Sequence, residues 1–309
     1  MRDESESDRE MTIALSGASG MLGLALNHAL LQQGEQVLRL VRRAPAASDE
    51  VRWDPVTGLL PEAEKLEGLS AAIHLSGANV AARRWTPAYK QEMTESRVTA
   101  TRVLAEALAK LRNPPRVLIA ASAVGYYGDR GDEILDEGAA AGTGFLPELC
   151  SAWEAAALPA GEAGIRVVHL RFAVVLGPYG GALAKLAPMF RLGLGGPLGN
   201  GRQWMSWVSE VDAISAILFA LRNTEIAGPI NIAAPNAVTN REFTRELGCA
   251  VHRPALIPAP AFALRLVFGE MADEALLAST RAVPRRLLEA GFRFEHATLA
   301  QAFGAAFNR

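Results

Sequence analysis

The chain has 309 residues, half of them hydrophobic and 21% charged, a balance typical of a globular protein with a sizeable core. Its formal net charge of -2 gives no basic excess, which argues against binding to nucleic acid or to an anionic membrane surface. The two cysteines, Cys150 and Cys249, form no C-x-x-C pair, which argues against a disulfide framework or a cysteine zinc site and indicates a cytoplasmic protein.

Residues 1–10 are mostly charged and polar and lack the apolar centre of a signal peptide, so we expect a disordered tail there. No later run reaches the roughly 18 apolar residues that a membrane helix needs. The five histidines are scattered without the spacing of a metal site, and we expect no bound metal.

From residue 11 onward, short apolar runs alternate with stretches in which apolar residues recur at helical spacing. In chain order these patterns predict a strand at 12–16, a helix at 18–33, strands at 37–41 and 72–76, a helix at 96–111, a strand at 117–121, a helix at 153–163 and a strand at 167–170. Such alternation is typical of βαβ units, so the predicted fold class is α/β with a Rossmann-type doubly wound parallel sheet.

The pattern changes after residue 175. Residues 176–201 are rich in glycine and proline and predict loops, after which a helix at 211–221 and a strand at 230–233 return to the sheet. The chain is therefore predicted to divide into a Rossmann domain (11–175 and about 207–235), a substrate-side segment (176–206) and a smaller C-terminal α/β cap domain (236–309).

Three glycines follow the first predicted strand at the spacing of a dinucleotide-binding turn. Gly17 permits the tight turn, Gly20 lets the backbone approach a pyrophosphate, and Gly23 lets helix and strand pack closely. The free N–H groups at the start of the helix would hold the phosphates, which adds to the predicted site Ser19, Met21 and Leu22. A glycine-rich turn without a ligand is the alternative, and the flanking strand and helix argue against it.

The end of the second strand indicates which dinucleotide is bound. An acidic residue there would hold the ribose 2′-hydroxyl of NAD, whereas this chain has Arg42 and Arg43. Guanidinium groups suit a 2′-phosphate, so the sequence favours NADP(H) over NAD(H). In the alternative, Arg43 is a solvated surface charge and only Arg42 contributes.

With this loop and arginine pair, the chain resembles the extended short-chain dehydrogenase/reductases, and more narrowly the epimerase family branch of their atypical members. The runs that carry the narrower resemblance extend over nearly all of residues 11–309 and are Trp53-Asp54-Pro55, Leu75-Ser76-Gly77-Ala78-Asn79-Val80, Arg83-Arg84-Trp85-Thr86, Lys90, Ser96-Arg97, Gly125-Tyr126-Tyr127-Gly128, residues 193–199, Gly201-Arg202-Gln203, residues 283–287 and Gly291-Phe292. The resemblance implies an NADP-binding Rossmann domain with its own small C-terminal domain, in a branch whose members mostly have no assigned activity.

The resemblance also implies coenzyme contacts at the ends of later strands. These contacts would come from Leu75, Ser76, Gly77, Ala121, Ser122 and Ala173. Arg97 stands where many extended members have an asparagine facing the coenzyme, and we expect it near the dinucleotide with Glu92. The alternative for these two residues is a Glu–Arg pair on a helix surface.

The residues that carry out catalysis in this superfamily are only partly present. The resemblance implies a serine at the end of the fifth strand, and Ser122 supplies it. It also implies a tyrosine and, four residues later, a lysine on the next helix, but those positions hold Leu146 and Cys150. Leucine has no proton to transfer, and a thiol carries no positive charge to lower the pKa of a phenol.

Three interpretations remain open. In the first, Tyr126 or Tyr127 supplies the proton, and an anionic substrate is held by Lys185, Arg202 and Gln203. In the second, the protein is a non-catalytic NADPH-binding regulator or sensor, and the tyrosines only close a turn. In the third, the chemistry is an epimerase-like isomerisation of a small carbonyl compound or sugar nucleotide. Many relatives form homodimers, and the sequence leaves the oligomeric state open.

Overall fold

The computed structural model describes residues 10–55, 57–58 and 60–307. Most of the predicted N-terminal tail, residues 1–9, lies outside this range. The carboxylate of Glu10 accepts a hydrogen bond from the Gln36 amide at 3.1 Å, at the start of the second strand.

The described chain contains thirteen strands, most of them short. They are β1 (Thr12–Ser16), β2 (Gln36–Val41), β3 (Glu50–Arg52), β4 (Ala71–His74), β5 (Val117–Ala123), β6 (Ile134–Leu135), β7 (Arg166–Phe172), β8 (Val174–Leu176), β9 (Trp204–Met205), β10 (Trp207–Ser209), β11 (Gly228–Ile232), β12 (Val238–Thr239) and β13 (Arg281–Ala282).

Seven of the strands form one parallel sheet in the order β11-β7-β5-β4-β1-β2-β3. The strand order reverses between β1 and β4, and in open α/β sheets a ligand crevice lies at that reversal, beyond the carboxyl ends of the strands. Strands β4 and β5 at the centre are almost wholly buried, because helices cover both faces of a parallel sheet. The predicted fold class is confirmed.

Eleven α-helices connect and flank the strands of the described chain. They are α1 (Met21–Gln32), α2 (Pro87–Thr94), α3 (Ala100–Ala109), α4 (Phe145–Ala155), α5 (Leu158–Glu162), α6 (Gly181–Arg191), α7 (Glu210–Arg222), α8 (Asn240–Ala250), α9 (Ala261–Phe268), α10 (Arg285–Glu289) and α11 (Leu299–Phe307). None of them is long and apolar enough to cross a membrane.

Three sequence predictions of local structure need correction. The predicted helix at 153–163 is wrong as a single element, because α4 begins at Phe145 and a short second helix starts just before Pro159. The predicted loop at 176–201 contains the helix α6, whose glycines at 180 and 181 precede an amphipathic run. The helix predicted at 96–111 begins earlier, at Pro87, where the Thr86 hydroxyl accepts a hydrogen bond from the Tyr89 N–H.

The core consists of separate apolar clusters. One lies between the sheet and the helices α1 and α7, and another lies on the opposite face beneath α3 and α5. A third cluster joins α6, α8 and α11 away from the sheet, around Trp207, Phe243 and Phe303. The substrate-side segment and the C-terminal helices therefore share a core of their own beside the sheet.

Candidate functional site

The glycine turn connects β1 to α1 at the reversal of strand order. Gly17 has a φ of +75°, and a Cβ on it would lie 2.8 Å from the Leu75 carbonyl carbon. A Cβ on Gly23 would lie 2.0 Å from the Gly17 carbonyl oxygen, so only glycine lets α1 approach the turn this closely. At two positions of the three-glycine motif, Gly17 and Gly23, a side chain is therefore excluded for steric reasons.

The first turn of α1 is open to a ligand. Its N-cap is Gly20, which makes no side-chain cap hydrogen bond, and the side chain of Ser19 is exposed. The unsatisfied N–H groups and the positive end of the helix dipole therefore face the crevice, as an anion site requires. Met21 packs against Gly180, whose Cβ would lie 2.9 Å from the Met21 sulfur, while Leu22 packs into the core.

The two arginines after β2 have different surroundings. Arg43 donates to both carboxylate oxygens of Glu50, at 2.7 and 2.6 Å. That hydrogen bond, with one from the Ala46 N–H, lowers the pKa of Glu50 to about 2 despite its burial. Arg42 is exposed and has no ion pair within the described residues. Arg42 is thus the arginine that is available to a ligand.

Arg97 lies in the π-helical turn Glu95–Thr99, between α2 and α3, and is 9% exposed. It donates to the Ala78 carbonyl at 2.8 Å and to the Met93 carbonyl at 3.3 Å. A Cβ on Gly77 would lie 3.3 Å from the guanidinium carbon, so this loop passes directly over the arginine. Glu92 is instead half exposed and lies 3.7 Å from Arg83 at the surface. The two residues are not paired with each other.

Ser122 belongs to a buried network rather than to an open surface. Its hydroxyl donates to Glu154 at 2.7 Å, and Arg171 donates to both oxygens of the same carboxylate at 2.8 and 2.9 Å. Burial raises the pKa of Glu154, but the hydrogen bonds from Arg171 and Ser122 outweigh it and hold the pKa below its usual value. Ser122 is 2% exposed and its only proton is used within the network.

The two adjacent tyrosines differ in burial and in the hydrogen bonds of their hydroxyl groups. The Tyr127 hydroxyl is fully buried, accepts a hydrogen bond from Arg171 at 3.0 Å, and lies 2.8 Å from the Asn231 side-chain oxygen. Burial raises its pKa. Tyr126 is partly exposed, its ring lies 3.5 Å from the Arg171 guanidinium carbon, and its hydroxyl has no hydrogen-bond partner within the described part of the chain.

Helix α4 places Leu146 and Cys150 against the turn that follows β5. A Cβ on Gly125 would lie 3.4 Å from Leu146 and 3.8 Å from the Cys150 sulfur. Burial raises the pKa of Cys150 to about 12, so this thiol is neutral at physiological pH. This side of the turn therefore offers neither a phenol nor an ammonium group.

The predicted substrate residues are spread over the segment between β8 and β10. Lys185 donates to the Ala81 carbonyl at 2.5 Å, which ties α6 to the loop after β4. Arg202 is exposed, whereas Gln203 is buried and donates to the carbonyls of Leu198 and Leu276. Ala173, at the end of β7, is also buried. The structure does not bring the first three side chains together.

Sequence reasoning missed Glu154, Arg171 and Asn231 as members of one network. Glu154 belongs to none of the sequence motifs described above, and Arg171 lies next to the carboxyl end of β7. A charged residue at the end of a buried strand was the available signal, because such a residue needs a partner. A second missed contact is the 2.6 Å hydrogen bond between buried Ser16 and His74, which end β1 and β4.

The parallel sheet, the reversal between β1 and β4 and the uncapped glycine turn define a Rossmann-type α/β protein of the dinucleotide-binding class. The sequence profile of the NAD dependent epimerase/dehydratase family matches residues 13–233, and that of a domain of unknown function, DUF1731, matches residues 259–306. The chain belongs to the NAD-dependent epimerase/dehydratase family, as the resemblance predicted.

Similar proteins occur in bacteria and animals. An epimerase family protein of Mycobacterium tuberculosis is 47% identical over 297 residues, covering 96% of this chain and 98% of that protein. The human epimerase family protein SDR39U1, crystallised as isoform 2 with NADPH, is 32% identical with a TM-score of 0.88, covering 97% of this chain and 100% of that one. A nucleoside-diphosphate sugar epimerase from Corynebacterium glutamicum is 34% identical with a TM-score of 0.78, covering 96% of this chain and 58% of that one.

Proposed function

We propose that this protein binds NADP(H) in the crevice beyond β1 and β4 and acts as an oxidoreductase or epimerase-like enzyme on a small carbonyl compound or sugar nucleotide. The observation that carries the coenzyme proposal is the uncapped first turn of α1, with Arg42 free at the end of the neighbouring strand. The human relative crystallised with NADPH supports the same choice of coenzyme.

The residues of the chain have distinct proposed roles. The N–H groups at the start of α1 bind the pyrophosphate, and Arg42 binds the 2′-phosphate. Leu75, Ser76 and Gly77 line the crevice floor next to the glycine turn. When bound, the coenzyme supplies or accepts hydride.

The proton must come from a residue outside α4. We assign this role to Tyr126, because its hydroxyl is not engaged by another group of the described chain and it lies in the turn that follows β5. Ser122 and Tyr127 then act as positioning residues, since their hydroxyls are buried and hold Glu154 and Arg171 in place beneath the Tyr126 ring. Arg171 fixes the orientation of this ring by stacking on it.

A non-catalytic NADPH-binding sensor is the second candidate function. It is favoured by the burial of Ser122 and by the apolar and neutral side chains of Leu146 and Cys150 on α4. Both candidates require the same coenzyme site and differ only in turnover, so one pair of experiments separates them.

The coenzyme proposal is tested by fluorescence titration of the full chain with NADPH and NADH. We expect wild type to bind NADPH at least about tenfold more tightly, and Arg42→Gln to lose most of that difference, because one charge-assisted pair is removed. Arg112→Gln removes an exposed arginine beyond the amino ends of the strands and serves as the matched control. Equal affinity of wild type for both coenzymes would refute the preference.

Turnover is tested by following NADPH absorbance with a panel of aldehydes, ketones and keto-sugars. If the enzyme proposal is correct, Tyr126→Phe loses turnover by about a hundredfold while its NADPH affinity stays within about twofold of wild type. Absence of turnover by wild type on the whole panel, with tight NADPH binding, would support the sensor. The proposal also includes the carbonyl class of the substrate, a cytoplasmic location and a homodimeric state.

A further inference from the structure

One buried positive charge, beneath the loop that follows β4, has no compensating negative charge. Arg97 is 9% exposed, and its hydrogen bonds go to two backbone carbonyls. It makes no ion pair with any carboxylate of the described residues. Burial lowers its pKa, but an arginine remains protonated at physiological pH. Such a charge is costly to bury unless a ligand or a function requires it.

The other side chains around Arg97 do not neutralise it. The Trp153 ring lies 5.0 Å from the guanidinium carbon, and the Tyr89 hydroxyl donates to the Asn79 carbonyl. The Cys150 thiol is neutral because burial raises its pKa to about 12. Glu154, the nearest buried carboxylate on α4, is paired with Arg171 on both oxygens. The net charge of this buried group of side chains is therefore +1.

The topology places this charge on the nicotinamide side of the crevice. Arg42 follows β2, on one side of β1, and would bind the adenosine end of the coenzyme. Gly77, which lies over the Arg97 guanidinium, follows β4 on the other side of β1. A dinucleotide spans this reversal of strand order with its pyrophosphate at the middle. The nicotinamide therefore lies on the same side as Arg97.

We propose that Arg97 makes this crevice select the reduced coenzyme, NADPH, over NADP⁺. This inference rests on the proposed coenzyme site and adds to it the preferred oxidation state. The two forms share the adenine, both riboses, the pyrophosphate and the 2′-phosphate, but the oxidised nicotinamide ring carries a positive charge and the reduced ring is neutral. An uncompensated cation in a poorly solvated site repels only the oxidised ring. A crevice with this property serves a reductase or a sensor of NADPH rather than a dehydrogenase.

The test is the ratio of the dissociation constants of NADP⁺ and NADPH, measured by calorimetry on the full chain. We expect wild type to favour NADPH by roughly tenfold, which corresponds to about 1.4 kcal/mol. Arg97→Gln should bring the ratio to within about twofold of one, whereas Arg97→Lys, which keeps the charge, should retain most of it. Arg102→Gln removes an exposed arginine of α3 and should leave the ratio at the wild-type value.

The ratio separates this inference from the coenzyme proposal. Contacts to the phosphates change both dissociation constants equally and cancel in the ratio, so a loss of overall affinity in Arg97→Gln does not affect the interpretation. A wild-type ratio near one, or an unchanged ratio in Arg97→Gln, would overturn the inference while leaving NADP(H) binding intact. If Arg97→Gln fails to fold, the ratios measured for wild type and Arg97→Lys still test the inference, because both must favour NADPH. Failure of wild type to bind either form would refute the coenzyme proposal itself.

Discussion

Replacement of Gly23 by alanine tests whether close packing of α1 on the glycine turn holds the site together. The added Cβ would lie 2.0 Å from the Gly17 carbonyl oxygen and 2.8 Å from the Ala18 Cα, both backbone atoms that cannot rotate away. Helix and turn must therefore separate by more than about 1 Å. Overpacking of this kind costs about 1–3 kcal/mol, and the helix propensity gained by alanine offsets at most about 1 kcal/mol of it.

The same displacement should weaken coenzyme binding. Hydrogen bonds from the first turn of α1 to a charged phosphate contribute about 1.5–3 kcal/mol each, so loss of one bond lowers NADPH affinity at least about tenfold. Stability is measured by urea unfolding followed by circular dichroism, and affinity by NADPH fluorescence. Both should fall together in Gly23→Ala.

Gly161→Ala is the matched control, because this exposed glycine of α5 has room for a methyl group. Its Cβ would meet only the Val167 side chain at 3.9 Å, which is an ordinary contact. The substitution should stabilise the protein by about 0.5–1 kcal/mol and leave NADPH affinity unchanged. A Gly23→Ala variant with wild-type stability and affinity would refute the account of the turn.

The remaining predictions concern buried ionisable groups. Burial lowers the pKa of His74 from 6.5 to about 4, so the unfolded chain takes up a proton that the folded protein excludes. Stability should therefore fall by about 3 kcal/mol as the pH decreases from 6.5 to 4, and urea unfolding of His74→Gln should show less of this dependence. Glu154→Gln leaves Arg171 buried without a carboxylate and should cost about 3–5 kcal/mol, part of which Arg171→Met in the same chain should restore; additive losses would contradict the pairing. Iodoacetamide should alkylate exposed Cys249 but not Cys150 in the native protein, and peptide mass spectrometry that found both modified would contradict the burial of Cys150.

The sheet and the glycine turn could be predicted from sequence because their causes are local. The apolar run at 12–16 and the glycines after it give β1 and the turn the observed bounds, since strand burial and a positive φ depend on nearby residues. Helix α6 was missed because its glycines and Pro188 suggest a loop, and only contacts with distant helices such as α8 and α11 make its apolar face a core face. Tertiary packing, rather than local sequence, therefore determines that this segment is helical.

The candidate site could be predicted only in part for the same reason. Arg42 and Arg43 are neighbours with the same side chain, yet their availability differs because Glu50, on the adjacent strand, holds one of them. Ser122 stands at the expected end of β5, but whether its hydroxyl faces the crevice depends on Glu154, 32 residues later. Sequence identifies the residue types, and long-range pairing decides which of them remain free.

The buried network beneath Tyr126 limits what kind of catalysis this chain can carry out. Ser122 donates to Glu154, while the Tyr127 hydroxyl accepts from Arg171 and donates to Asn231. Breaking the Glu154–Arg171 ion pair to free either hydroxyl would leave a buried charge unpaired. A proton transfer in this protein must therefore use a group outside the network, and of the two tyrosines only Tyr126 meets that condition. The same network cancels its own charge and leaves Arg97 as the uncompensated buried charge, so the proposed proton donor and the proposed preference for the reduced coenzyme both follow from a single arrangement of buried residues.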